Sequence, residues 1–108
     1  MNFQKTSEKP YTHLQPGMAR RTLVHGERTL LAEFAFERGA ILPSHSHPHE
    51  QTGYLVSGRM MLTIGDTEYD VHPGDAWIVP GGVLHGAQAV EDCVAVEVFS
   101  PVREDYLT

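Results

Sequence analysis

The stretch that decides the fold spans residues 39–58 and reads "GAILPSHSHPHEQTGYLVSG". Within it, "HSHPHEQ" (residues 45–51) places three histidines in five positions. Side chains of an extended segment alternate between two faces, so His45 and His47 would project together into one cavity. Two imidazoles on one face form half of a metal site. The same pattern is typical of a solvated loop or of a charge switch near neutral pH, and local spacing does not choose among these.

Apolar residues alternate with period two in several other segments, which is typical of β-strands rather than helices. The alternating sets are Leu30, Ala32, Phe34 and Phe36; Met60, Leu62 and Ile64; and Val94, Val96 and Val98. Turn signals such as "RGA" (38–40), "SGR" (57–59) and "HPGD" (72–75) fall between them. Many short strands at these intervals predict an all-β fold, an antiparallel sandwich or barrel.

The chain has 108 residues, a length that suits one domain with a single core. We predict that this domain occupies residues 17–108. Residues 1–16 are polar and are interrupted by Pro10 and Pro16, which predicts an N-terminal arm that is mobile or lies across a partner subunit.

A second run, "GDAWIVPGGVLHGAQA" (74–89), completes a pattern that the first run begins. The first run has Gly39, His45, His47, Gln51 and Gly58, and the second has Gly74, Pro80, Gly82 and His85. At these spacings the two runs resemble the paired signature motifs of the cupin superfamily, whose members are small jelly-roll barrels with a metal held by residues from both motifs. The resemblance implies a single-domain cupin jelly-roll barrel of short antiparallel strands. The family pattern usually has Glu at position 51 and Asn at position 89, where this chain has Gln51 and Ala89.

Placed in this frame, His45, His47, His85 and Gln51 form a set of three imidazoles and one amide, with one or two positions open for water or substrate. The set is neutral, so one divalent transition metal would keep its full charge in the pocket and could polarise an oxygen-rich ligand. Imidazole-dominated sites accept Zn, Ni, Fe, Cu or Mn. In the alternative, Gln51 is a hydrogen-bond donor behind a three-histidine site. His49 has no ligand position in the frame and is predicted at the pocket rim, where it could contact a substrate.

The carboxy-terminal strand "CVAVEVFSPVREDYL" (93–107) carries a carboxylate, Glu97, among apolar residues. In one interpretation Glu97 faces water from an edge strand. In the other it faces the metal cavity and transfers protons, with Phe99 as an apolar wall and Arg103 as an anion clamp. Cys93 on the same strand lacks a neighbouring base and is predicted to be a small buried side chain.

A narrower resemblance rests on "GMARRTLV" (17–24), "HSHPHEQTGYLVSG" (45–58) and "VFSP" followed by "REDYL" (98–107). These segments look like the pectin-degradation cupins of KdgF type, and the likeness runs from Gly17 to Leu107. That family converts 4,5-unsaturated monouronates, released from pectin or alginate, into linear keto-uronates. The resemblance implies four metal ligands, His45, His47, Gln51 and His85, and three further site residues, Glu97, Phe99 and Arg103. The family acid is expected to be Asp, so Glu97 is one methylene longer.

Two other functions stay open beside this ring-opening isomerase activity. One is a small cupin dioxygenase acting on an enediol, and the other is a non-catalytic sensor of sugar acids or metals. A net charge of -6 with scattered Lys and Arg disfavours nucleic-acid partners. The absence of a signal-like start or a long apolar run predicts a cytoplasmic protein without a membrane partner. Outward apolar positions, Val94 and Val96 or Leu30 depending on the face, predict a homodimer.

Overall fold

The structure, a computed structural model, describes residues 2–5 and 9–107. In these residues the chain forms strands β1 to β10 and one short 3-10 helix. The strands are β1 (Thr12–Gln15), β2 (Met18–His25), β3 (Leu30–Phe36), β4 (Ile41–His45), β5 (Glu50–Ser57), β6 (Met60–Ile64), β7 (Thr67–Val71), β8 (Ala76–Val79), β9 (His85–Ala89) and β10 (Cys93–Ser100), and the 3-10 helix is Glu104–Tyr106.

Two sheets face each other and enclose the core. One has six strands in the order β1-β2-β3-β10-β5-β8, and the other has four in the order β4-β9-β6-β7. Each strand pair is antiparallel. The two-sheet, all-β arrangement is that of a single jelly-roll barrel, and it confirms the predicted fold class.

Alternation along the central strands decides which side chains enter the barrel. On β3 every second residue is buried, beginning with Leu30, and Cys93, Ala95 and Phe99 on β10 are at most 3% exposed. Val94 and Val96 therefore lie on the outer face. This agrees with the first of the two predicted sets of outward apolar positions. Leu30 is 0% exposed, so its proposed alternative role on the outer face is wrong. Cys93 is buried as predicted, and burial raises the pKa of its thiol to about 11.

The sheet begins inside the segment that was predicted to be an arm. Residues Thr12–Gln15 pair with β2 as strand β1, so the boundary at residue 16 does not separate the arm from the sheet. Pro16 and Gly17 form the turn of this hairpin, and Gly17 has φ 77°, which favours glycine. Of the predicted arm, residues 1 and 6–8 lie outside the described residues, as does residue 108 of the predicted domain.

After β10 the chain turns back across one end of the barrel. The 3-10 helix places the Tyr106 ring against Phe99 and Phe34, with ring centroids 5.2 and 6.1 Å apart. Thr22 donates a hydrogen bond from Oγ1 to the Tyr106 carbonyl, which ties the segment to β2. Within residues 2–5 and 9–107, no helix has the length and apolar character that a bilayer span requires.

Candidate metal centre

The two histidine-bearing segments meet at one end of the four-stranded sheet. His45 ends β4, His85 begins β9, and the two residues are opposite each other in the antiparallel pair. His47 lies between β4 and β5, and its carbonyl accepts a hydrogen bond of 2.8 Å from the Gly82 N–H. A Cβ at Gly81 would lie 2.3 Å from the Pro48 carbonyl oxygen, so only glycine lets these two loops approach so closely.

This arrangement brings the three predicted histidine ligands together. One ligand atom from each of His45, His47 and His85 lies within 4.8 Å of the others. The ring centroids are 4.3 Å apart for His45 and His85 and 4.9 Å apart for His47 and His85. Three imidazoles at these separations are suited to binding one metal ion.

Backbone carbonyls fix the orientation of each imidazole. The Nδ1 atoms lie 2.9 Å from the Pro43 oxygen for His45, 3.1 Å from the His49 oxygen for His47, and 2.9 Å from the Val83 oxygen for His85. A carbonyl only accepts hydrogen bonds, so each neutral ring must carry its proton on Nδ1. Each Nε2 then presents its lone pair, as a metal ligand requires.

Burial favours the neutral form of two of these imidazoles. The exposed fractions of His47 and His85 are 9% and 3%. Burial is the main cause that lowers the pKa of His47, and the nearby charges of Arg103 and His85 lower it further. Burial also dominates the lowered pKa of His85. Neutral imidazoles bind a metal without first releasing a proton.

Two observations test whether the residues present fit a cation. The Nε2 atom of His85 is buried without a hydrogen-bond partner. The Nε2 atom of His47 lies 3.0 Å from Oε1 of Gln51, although both atoms are acceptors in this arrangement. A cation between these lone pairs would satisfy all three atoms, whereas a buried acceptor without a partner is costly. The donor set therefore fits a metal ion.

Glu97 points into the barrel beside this centre, and the interpretation in which it faces water is wrong. Its Oε1 accepts a hydrogen bond of 2.6 Å from Nε2 of Gln51, which orients the Gln51 oxygen towards His47. Burial raises the pKa of Glu97 to about 7, while the Gln51 hydrogen bond, the indole N–H of Trp77 and the charge of Arg103 act in the opposite direction. The extra methylene of Glu97 does not prevent its carboxylate from reaching the site.

Phe99 and Arg103 line the same cavity. The Phe99 ring packs against His47 with centroids 5.8 Å apart. The Arg103 guanidinium stacks over Phe99 and Tyr106, at 5.2 and 4.1 Å from the ring centroids. It also forms a salt bridge of 2.8 Å with Asp105. A guanidinium held by an exposed carboxylate can exchange that partner for another anion.

The cavity between these residues has a volume of about 40 Å³, and Tyr106 lines it together with Gln51 and Glu97. The predicted place of His49 at the pocket rim stays a prediction. The His49 ring packs against His47 with centroids 5.5 Å apart, and its carbonyl anchors the His47 ring. Sequence reasoning assigned no role to Tyr106 or Trp77, although both lie in the segments that carried the resemblance or its second motif.

Comparisons with known proteins agree with this geometry. The family model described as "Cupin domain" matches residues 32–100. The pectin degradation protein KdgF of Dickeya dadantii is 28% identical over 102 residues, which cover 93% of each protein. The structure of KdgF from a Halomonas species has a TM-score of 0.93 and 32% identity, and the match covers 97% of both chains.

A second solved structure, an RmlC-like cupin from Shewanella frigidimarina, has a TM-score of 0.94 at 26% identity, covering 98% of this chain and 96% of that one. Matches over nearly the whole length leave little of the chain outside the shared fold. The matched family model and the paired histidine segments together show that this chain belongs to the cupin family, and within it the chain is KdgF-like.

Proposed function

We propose that this protein is a metal-dependent isomerase that converts 4,5-unsaturated monouronates into linear keto-uronates. The observation that carries the proposal is the Glu97 carboxylate, which faces inward and is hydrogen-bonded to Gln51 beside the histidine triad. Similarity to a pectin degradation protein over 93% of the chain supports the substrate class.

His45, His47 and His85 would hold one divalent transition metal, with Gln51 as a fourth ligand through Oε1. The metal could be Zn, Ni, Fe, Cu or Mn. When bound, it supplies positive charge for the oxyanion that develops on the substrate ring oxygen. The hydrogen bonds that Nδ1–H donates to backbone carbonyls fix the orientation of the three rings. Metal binding therefore needs little reorganisation of the side chains.

In this reaction Glu97 moves one proton. The carboxylate accepts the proton of the hydroxyl at carbon 1, the bond from carbon 1 to the ring oxygen breaks, and carbon 1 becomes an aldehyde. The electron pair remains on the ring oxygen as the enolate of carbons 4 and 5. Glu97 returns the proton to carbon 4, which leaves a ketone at carbon 5. Atoms and charge balance without an oxidant or a covalent intermediate.

Arg103 and Phe99 would bind the substrate, the guanidinium holding its carboxylate and the ring covering its apolar face. A cavity of about 40 Å³ has room for only a few water molecules, less than a sugar acid requires. We therefore expect the segment after β10, with Arg103 and Tyr106, to move outward on binding. Arg103 would then exchange Asp105 for the substrate carboxylate.

The proposed function is tested by adding metal-loaded protein to monouronates freshly released by a polysaccharide lyase. The expected result is loss of the ultraviolet absorbance of the conjugated double bond, faster than in a protein-free sample. Metal analysis of the same sample and an oxygen electrode accompany the assay. Oxygen consumption would instead support a dioxygenase, and binding of the uronate without turnover would support a sensor.

Replacing Arg103 with Ala should raise KM by about thirtyfold, because a hydrogen bond to a charged group contributes about 2 kcal/mol. The value of kcat should change much less, since Arg103 orients the substrate and does not carry the proton. Steady-state kinetics measures both values. Arg28→Ala, at an exposed arginine in the turn between β2 and β3, is the control. An unchanged KM for Arg103→Ala would contradict the role as a clamp.

We also propose that two copies pair through the outer face of the six-stranded sheet. Tyr54, Val56 and Ile78 on this face are 47%, 50% and 52% exposed, and Tyr54 is opposite Val96. Sedimentation velocity at micromolar concentration should show a dimer, and Tyr54→Lys should convert it to a monomer. Tyr69→Lys is the matched control, because Tyr69 is 48% exposed on the other sheet. A wild-type monomer would refute the dimer.

A cytoplasmic location stays a prediction.

A further inference from the structure

Glu97, Gly53 and Trp77 form a row across three neighbouring strands. Glu97 on β10 is opposite Gly53 on β5, and Gly53 is opposite Trp77 on β8. Residues directly opposite each other in a sheet share a face. Since Glu97 lines the metal cavity, all three positions face the interior of the barrel.

Gly53 leaves the space that the Trp77 ring fills. A Cβ at position 53 would lie 2.1 Å from Cε2 of Trp77 and 2.3 Å from both Cζ2 and Nε1. The edge of the indole that carries the nitrogen therefore lies over Gly53, directly beside Glu97. Gly53 is not among the glycines with positive φ, so the ring, and not the backbone conformation, requires glycine here.

Within the described residues, the indole N–H of Trp77 has no hydrogen-bond acceptor. Nε1 of Trp77 is buried and makes no aligned hydrogen bond, and the registers of the three strands place its indole beside Glu97. Oε1 of Glu97 already accepts from Gln51, and the second oxygen remains able to accept. A buried N–H beside a carboxylate has an electrostatic reason to be retained there.

We propose that Trp77 is a positioning residue, holding the Glu97 carboxylate from strand β8 as Gln51 holds it from β5. Glu has one more rotatable bond than the Asp implied by family resemblance. Fixing the Glu97 carboxylate in one orientation towards a substrate therefore costs more conformational entropy. Two donors from two strands restrict that freedom. Because this role presupposes that Glu97 carries the proton in the proposed function, its test needs one readout that is independent of turnover.

The independent readout is the indole signal of Trp77, the only tryptophan in the chain. A ¹H–¹⁵N correlation spectrum of the zinc-loaded protein should contain one indole N–H peak. In Glu97→Ala this proton signal should move to lower frequency, as expected when a donor loses a charged acceptor. The exposed Glu91→Gln should leave it in place. An indole signal that is identical in Glu97→Ala and wild type would overturn the proposal, whatever the protein catalyses.

The kinetic readout uses Trp77→Phe, which keeps an aromatic ring over Gly53 and removes the N–H. We expect kcat to fall about tenfold, because the carboxylate loses one of its two neighbouring donors, with KM and metal content unchanged. In the Glu97→Gln background, Trp77→Phe should cause no further fall. Gly53→Ala should resemble Trp77→Phe, because its methyl group displaces the indole.

Full kcat in Trp77→Phe would overturn the proposal, and so would an equal further loss in the Glu97→Gln background. If Glu97→Gln itself retained wild-type turnover while the indole signal still depended on Glu97, the contact would stand and the proton-transfer role of Glu97 would fall. The two failures are therefore distinguishable.

Discussion

Glu97→Gln is expected to lower kcat by about a hundred- to ten-thousand-fold, the usual cost of losing a general acid–base group. The amide has the same size as the carboxylate, and its oxygen can still accept the hydrogen bond from Gln51. It cannot take up the proton of the substrate hydroxyl. The fold, the metal content and KM should therefore change little, and the loss should appear in kcat.

Turnover of lyase-generated monouronates, with metal analysis of the same preparation, measures this effect. Glu91→Gln, the same substitution at an exposed position, is the control and should keep full activity. Glu97→Asp keeps the negative charge but shortens the side chain by one methylene. It therefore separates the effect of side-chain length from the effect of charge. If Glu97→Gln kept more than about a third of wild-type turnover, proton transfer would have to be assigned to His49 or to a water molecule.

The fold was predictable because two independent signals agree on it. Period-two alternation of apolar residues identified β3, β6 and β10. The structure buries the alternating set on β3 and β6, whereas on β10 it buries the opposite set, Cys93, Ala95 and Phe99. Spacing in two motifs then implied the barrel that brings His85 to His45. Alternation does not specify partners, however, and the position of β10 between β3 and β5 depends on contacts between residues far apart in the chain.

The parts that sequence reasoning missed depend on such distant contacts or on turn chemistry. The position of Trp77 beside Glu97 follows from the registers of two strand pairs, which no local pattern encodes. Tyr106 reaches the cavity through a short 3-10 helix that has no periodicity of its own. The sequence pattern predicts an arm where strand β1 lies, because Pro10 and Pro16 interrupt it. In the structure Pro16 and Gly17 instead form a hairpin turn.

The second large effect concerns the metal. Wild-type protein should carry about one divalent metal per chain, and His85→Ala should carry less than about a tenth of that amount after reconstitution, with turnover falling in proportion. His85 is 3% exposed, and its Nε2 has no partner in the protein, so its loss removes a ligand that the described residues do not replace. Elemental analysis of dialysed samples gives both numbers.

Thermal unfolding provides a measurement that does not depend on the assay. A ligand that binds only the folded state stabilises it by about 2.7 kcal/mol at a hundred times its Kd, which corresponds to roughly 10–20 °C in Tm for a domain of this size. Wild-type protein should lose this increment when a chelator is added, and His85→Ala should show no difference between metal and chelator. Comparing each protein with itself removes the separate cost of the cavity that the alanine leaves.

His72→Ala is the matched control, because His72 is exposed and lies outside the triad. It should keep the full metal content and the full difference in Tm between metal and chelator. A wild-type protein that bound less than about a tenth of a metal per chain after reconstitution would contradict the assignment. The lone pairs that His47 and Gln51 direct at each other across 3.0 Å would then need a proton between them, and the triad would be a protonation site instead of a metal centre.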